Sequence, residues 1–256
     1  MHEIDEARDW RGNEIDCGSC AHAPLNTAGH CRLKHACVND RYARRIDRFF
    51  DWNPVLADSY VKHPHFEVRA IAAKHANLFL LPPLLDDPEE TVRWNAARRL
   101  PKRRVMRLRS DPHREVRIRI ATLLDPDELV PMMGDEDYYV RLVVARRIAA
   151  SLLGRMMWDE EAEVRRVVAR RIPYDWLLGM TGDPDATVRL EIARRLSPDL
   201  LSVLRRDPDW RVRYEVASRI AVAQMASLTE DNDVMVQQVA RARIAVRPER
   251  PVGSGA

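Results

Sequence analysis

Val188-Arg-Leu-Glu-Ile-Ala-Arg-Arg-Leu196 is the stretch on which the reading of this chain turns. Nearly the same words recur as Val92-Arg-Trp-Asn-Ala-Ala-Arg-Arg-Leu100, and a valine returns at one constant interval at Val68, Val92, Val116, Val140, Val164, Val188, Val212 and Val236. Eight copies keep one register without insertion or deletion, which identifies a repeat protein. Counting from each valine, apolar residues fall at 0, +4 and +8 with alanine usual at +5, the spacing of one helix face. Five residues before the valine stand Asp87, Asp111, Asp183 and Asp207, each followed by proline; Asp135, Asp159 and Asp231 keep the acid alone. An aspartate that caps free amides, with proline at the first helical position, predicts a helix of about 12 to 13 residues from that point. Pro101, Pro126, Pro173 and Pro198 break it in several copies.

The other half of each unit carries a second apolar pair three residues apart: Leu81 with Leu84, Leu153 with Met156, Leu177 with Met180, Leu201 with Leu204. That spacing suits a short 3₁₀ turn and not a strand, which would alternate with period two. A 24-residue unit is too short for two full helices. Each unit is therefore one α-helix plus one short helical turn, and the expected fold is all-α: an α-solenoid superhelix with two curved layers.

Composition places few further constraints. The chain has 256 residues, 46% hydrophobic and 32% charged, as expected for a globular protein with a sizeable core. Its first residues, Met1-His-Glu-Ile-Asp-Glu-Ala-Arg-Asp-Trp10, lack the apolar core of a signal peptide, and no apolar run approaches the roughly 20 residues that span a bilayer. The expectation is a cytoplasmic protein without membrane contact. Net charge is +3, from 42 basic and 39 acidic residues well interspersed. Without a concentrated basic stripe, nucleic-acid binding is disfavoured.

Two sets of arginines follow the repeat. Arg69, Arg93, Arg117, Arg141, Arg165, Arg189 and Arg213 stand at +1, inside the apolar arc, with Gln237 in the last copy. Repetition in step with the capping aspartates points to a ladder in which each guanidinium meets an aspartate or a helix-end carbonyl. Arg99, Arg147, Arg171, Arg195, Arg219 and Arg243 stand at +7, near helix ends, where free carbonyls accept them. Trp94, Tyr138, Tyr139, Trp158, Trp176, Trp210 and Tyr214 keep no constant register and read as gap fillers or surface cover.

All four cysteines, Cys17, Cys20, Cys31 and Cys37, lie in one N-terminal window spaced C-x₂-C-x₁₀-C-x₅-C. Four thiolates suit tetrahedral zinc or an iron–sulfur cluster, and the spacing alone leaves both open. His22, His30 and His35 lie among them and read as neighbours of the site rather than ligands. After the cysteines, Asn39 to Phe50 predicts an amphipathic helix with Tyr42, Ile46, Phe49 and Phe50 on one face. A metal lets so short a segment fold with little core, and its place suits a cap over the open end of the repeats.

Repeat and cysteine segment together resemble the leucine-rich repeat variant family, in its iron–sulfur-containing form. The resemblance implies a superhelix of alternating α- and 3₁₀-helices with a small N-terminal domain holding a [4Fe-4S] cluster on Cys17, Cys20, Cys31 and Cys37. It predicts a cluster domain with linking helix over 1–53, eight repeats over 54–246, and a disordered tail at 247–256. No nucleophile–base pair or phosphate-cradling glycine loop stands out, so a non-enzymatic protein is expected. The first expectation for function is a protein-binding scaffold whose cluster is a structural cap or redox-sensitive switch. An electron-transfer protein and a nucleic-acid-binding solenoid are the alternatives.

Overall fold

The structure, a computed structural model, describes residues 6–245; the expected tail at 247–256 lies outside them. Two compact units, Met1–Pro131 and Met132–Ala256, make up the chain. In the first, α1 (Ala23–Thr27) and α2 (Ala43–Trp52) precede the repeat helices α3 (Phe66–His75), α4 (Glu90–Ala97) and α6 (Arg114–Leu123), with the one-turn α5 (Lys102–Val105) between the last two. In the second, α7 (Tyr138–Arg147), α8 (Ala162–Arg171), α9 (Ala186–Arg195), α10 (Trp210–Arg219) and α11 (Val234–Ala245) follow one another. Short 3₁₀ segments such as Pro54–Tyr60, Ala150–Met156 and Tyr174–Met180 separate them. Within each unit, successive repeat helices pack side by side. The described residues contain no strand, only two isolated bridges, so the fold is all-α, with α- and 3₁₀-helices alternating as the pattern requires.

The repeat valines are at most 1% exposed, and the +4 and +8 positions close over them, as in Ile120 with Leu124, Val144 with Ile148, and Val168 with Ile172, all at 0%. The 3₁₀ pair completes the core: Leu153, Leu177 and Leu201 are fully enclosed, with Met156, Met180 and Leu204 beside them. Aromatic residues cover the surface instead. Trp158, Trp176 and Trp210 are all exposed, and the Trp176 ring occupies the space that a Cβ on Gly154 would need.

Helix starts differ from the expectation. Most repeat helices have ten residues, and they begin two residues before the valine, not at the Asp-Pro step. The capping residue stands at −3: Asp137 accepts the amides of Tyr139 and Val140, and Asp185 and Asp209 accept those of Thr187 and Arg211. The aspartate at −5 turns the chain earlier, accepting the amide two residues on, as Asp111 does from His113 at 2.8 Å and Asp183 from Asp185 at 2.9 Å. Its outer carboxylate edge is thereby left for another partner.

That partner is the +1 arginine of the preceding repeat. Arg165 donates Nε and one terminal nitrogen to Asp183 at 2.7 and 3.0 Å, while its other nitrogen reaches the carbonyls of Asp159 and Glu160 at 2.7 and 3.0 Å. Arg69, Arg93, Arg141, Arg189 and Arg213 repeat this bidentate bond with Asp87, Asp111, Asp159, Asp207 and Asp231. Each guanidinium thus holds its own turn and the next in one register. Gln237 stands in the arginine's place in the last copy and makes the bond to its own turn, donating Nε2–H to Asp231 O at 2.6 Å. The +7 arginines form a second set of ties. Arg171, Arg195, Arg219 and Arg243 each reach two carbonyls at the end of the previous repeat helix, such as Ala169 and Ile172, each 2.8 Å from Arg195. Carbonyls left open by a helix end are thereby satisfied. A buried ion pair adds little net stability over well-packed apolar residues, so the expected role of the +1 rungs is to fix register more than to add free energy.

The linking helix α2 is itself built like a repeat helix. Its two ends precede those of α3 by just under one repeat length, and it packs against α3. Arg45, Phe49, Phe50 and Asn53 are buried where α3 and its cap bury Val68, Ala72, Ala73 and Ala76. Phe50 stacks on His75 of α3 and meets the Tyr60 ring edge-on.

Candidate metal centre

The cysteine segment is shaped by turns. Asp16 accepts the amides of Gly18 and Ser19 at 2.8 and 3.2 Å, bending the chain between Cys17 and Cys20. Helix α1 follows and ends before Gly29, whose φ of +79° suits glycine. Arg32 and Ala36 then pair across an isolated antiparallel bridge, with Lys34 at its tip in the left-handed region at φ +61°. Register steps outward symmetrically from such a bridge, so Cys31 stands opposite Cys37. The C-x₅-C spacing is therefore the length of this small hairpin. Cys37 is anchored further by its amide, which donates to Arg45 O on α2 at 3.1 Å.

Cys31 and Cys37 are 6% and 4% exposed, Cys17 and Cys20 are partly open, and none of the four is in a disulfide. Burial pushes the Cys17 thiol up, and the charges of Cys20 and Asp16 add to it. Burial likewise raises Cys31, with Cys17 and Cys20 acting in the same direction. Cys37 is pushed up to about 12, mainly by burial, with further contributions from Cys31, Asp40 and Cys20. The thiols are thus close enough to oppose one another's ionisation. Several N–H groups reach the sulfurs: Cys20 Sγ accepts from the His22 amide and from Asn39 Nδ2, both at 3.4 Å. The Arg32 amide serves Cys31 and the Asn39 amide serves Cys37. Asn39 therefore clips the two halves of the cysteine segment together, one sulfur through its side chain and one through its backbone.

Tyr60, at the end of the first 3₁₀ segment, borders the same group. Burial pushes its hydroxyl up to about 12, and the charges of Cys20, Cys37 and Cys31 add to the shift. His22 Nε2 is hydrogen-bonded to the Tyr60 hydroxyl. His35 takes a hydrogen bond from Arg48 at 2.8 Å and packs near Trp52, and His30 accepts from Asn53 through its carbonyl oxygen. Neither Asn39 nor Tyr60 is legible as a site residue in the sequence. Asn39 is one asparagine in a polar loop, and Tyr60 lies far along the chain from Cys37, beyond the whole of α2.

This donor set fits a soft metal centre. The Cys17, Cys31 and Cys37 thiols resist losing protons to water, and a thiophilic cation bound by the cysteines would offset that cost as it displaces the protons. N–H donors directed at the sulfurs stabilise thiolate ligands and tune iron–sulfur centres. Among the described residues no three His, Cys, Asp or Glu side chains meet as a geometric ligand set.

An all-α repeat array joined to a turn-built four-thiol module defines a repeat protein with a soft-metal centre. Residues 7–59 match the family described as "LRV protein FeS4 cluster". A solved structure described as a leucine-rich repeat variant with a novel repetitive protein structural motif superposes with a TM-score of 0.85, at 39% identity, over 90% of this chain and 98% of that one. The chain belongs to the leucine-rich repeat variant family. A Rhodobacter capsulatus protein, known as the uncharacterized 27.7 kDa protein in the nifB 3′ region, is 50% identical over 101 residues; the match spans 40% of this chain and 41% of that relative.

Proposed function

We propose that the chain is a non-enzymatic, protein-binding scaffold of the cytoplasm, whose N-terminal [4Fe-4S] cluster, held by Cys17, Cys20, Cys31 and Cys37, caps the repeats and makes that cap sensitive to redox conditions. The reading rests most on α2, which accepts the Cys37 amide through Arg45 O and also packs on α3 as a repeat-like helix. Whatever holds the sulfurs together thus also holds the end of the array. When bound, the cluster supplies cross-links among the four cysteines and a one-electron couple. The four free thiols are consistent with a reducing compartment, and no described helix is long and apolar enough to cross a membrane.

A second reading, electron transfer, is favoured by one observation: Cys17 and Cys20 are partly exposed where Cys31 and Cys37 are buried. Binding of nucleic acid through the +1 and +7 arginines loses support, because the described contacts of both sets are internal.

The test is iron, acid-labile sulfide and zinc content of protein purified without oxygen, followed by thermal unfolding before and after oxidative loss of the cluster. Four irons and four sulfides per chain, with a lower melting temperature once they are lost, is the expected result. One zinc without sulfide overturns the redox part. One iron without sulfide replaces the [4Fe-4S] assignment with a mononuclear site. A cluster whose loss leaves melting unchanged removes the cap.

A further inference from the structure

The short helices of the first repeats carry a surface that the repeat pattern does not call for. Pro54–Tyr60, Leu78–Leu80 and α5 begin one repeat apart, so their second residues, Val55, Phe79 and Arg103, hold equivalent places. Val55 is 85% exposed and Phe79 90%. Later copies put Asp127, Ser151, Asp175, Asp199 and Ala223 there. A large apolar side chain so open to water contributes almost nothing to the core, and Leu78 and Leu80 beside Phe79 are exposed as well.

The rows are neighbours. Asp58, three residues beyond Val55, accepts the amide of Asn77 at 2.7 Å, and Asn77 caps the turn that carries Phe79. Arg107, just after α5, makes a bidentate pair with Asp86 at 2.7 and 2.9 Å. Stacked helices lie about 10 Å apart, so the exposed Val55 and the Leu78–Leu80 cluster stand on adjacent rows, with exposed Asp58 on the Val55 row, and a basic row follows. In that row Lys102 is paired with Asp125, whereas Arg103 and Arg104 are exposed with no described carboxylate in ion-pair contact. Contiguous exposed apolar surface with a charged border marks an interaction site. An anionic bilayer would ask for basic charge all around, and exposed Asp127 in the next row opposes it. A protein can instead match apolar and charged rows one by one.

We propose that this surface docks an acidic protein partner, whose apolar side chains cover Val55 and Phe79 and whose carboxylates meet Arg103 and Arg104. The inference rests on the scaffold reading and locates it. The 3₁₀ segment carrying Val55 ends at Tyr60, beside the cysteines, so the partner sits on the part of the array nearest the metal centre.

The test uses the full chain as isolated, a displayed random-peptide library as one probe, and vesicles of phosphatidylglycerol and phosphatidylcholine as the other. The expected peptides combine apolar anchors with Asp or Glu. Their affinity falls about tenfold or more for Phe79→Ser, and falls with a flatter salt dependence for Arg103→Glu with Arg104→Glu. Phe79 is exposed enough that Phe79→Ser leaves the melting curve in place, which separates lost binding from lost folding. Selected peptides indifferent to both variants overturn this location and leave the scaffold reading standing. Failure to select any peptide overturns both. Vesicle binding that depends on Phe79, without peptide binding, replaces the protein partner with an anionic membrane.

Discussion

The cysteine module and the repeat array solve the same problem, holding a chain in register, by opposite means. In the array each link is a charged side chain bonded in three directions, and the link recurs from repeat to repeat, so the loss of one leaves its copies standing. Arg165 ties Asp159, Glu160 and Asp183 in this way. In the module each link occurs once. One Asx turn bends the first cysteine pair, one short hairpin brings Cys31 opposite Cys37, and Asn39 joins the two halves. Redundancy makes the array a sum of nearest-neighbour terms. The module lacks that redundancy, and on the proposed reading it relies on what its sulfurs bind.

The largest effect expected is in the module. Cys37→Ser should abolish metal retention and lower the melting temperature of the N-terminal region, because a short metal-organised segment loses most of its folding free energy with the metal. Metal analysis with hydrogen exchange over residues 6–60 reads both; full metal content in the variant would make the module as redundant as the array. Next is a single rung. Arg165→Ala leaves Asp183, 1% exposed, without its cation and should cost about 3–5 kcal/mol by denaturant unfolding. Arg165→Met with Asp183→Leu should recover most of that loss. A loss that persists in the double variant would show that the rung stabilises as well as sets register.

Acid should weaken the ladder before it reaches the packed core. Hydrogen bonding from Arg213 holds the Asp231 carboxyl below its ordinary 3.8, and Asp87 is also held low, Arg69 and the Glu89 amide overcoming the upward pull of burial. A folded-state pKa below the unfolded one gives stability that is complete above about 3.8 and is lost as pH falls through the folded value. Melting temperatures should therefore drop between pH 4 and pH 2, and less steeply for Asp231→Asn; equal slopes would place the acid-sensitive groups elsewhere. The smallest effect is a cap. Asp185→Ala removes one acceptor at the start of α9 and should cost about 1 kcal/mol, measurable as a shift in the unfolding midpoint. A larger cost would tie this position to the ladder.

Much of this is legible in the sequence because it recurs. The valine register, the α-plus-3₁₀ unit and the arginine ladder repeat in step, and a physical demand met in copy after copy leaves a periodic mark. The helix starts mislead for a related reason. Aspartate at −5 looks like a cap to any local rule, but its carboxylate serves an arginine 18 residues earlier, and the residue at −3 does the capping. Asn39, Tyr60 and the repeat-like packing of α2 leave no mark, since each depends on contacts that occur once.

By itself, the sequence determined the class of fold, the length of its unit, the residues of its core and the four cysteines set apart from it, because side-chain spacing and donor chemistry are local properties of a chain. Only the tertiary structure decided which carboxylate each arginine meets, that Cys31 faces Cys37 across a hairpin, that α2 closes the array as a disguised repeat, and that Val55 and Phe79 share one exposed surface. Those are distances between residues far apart in the chain. They follow from how successive turns stack, which no local pattern records.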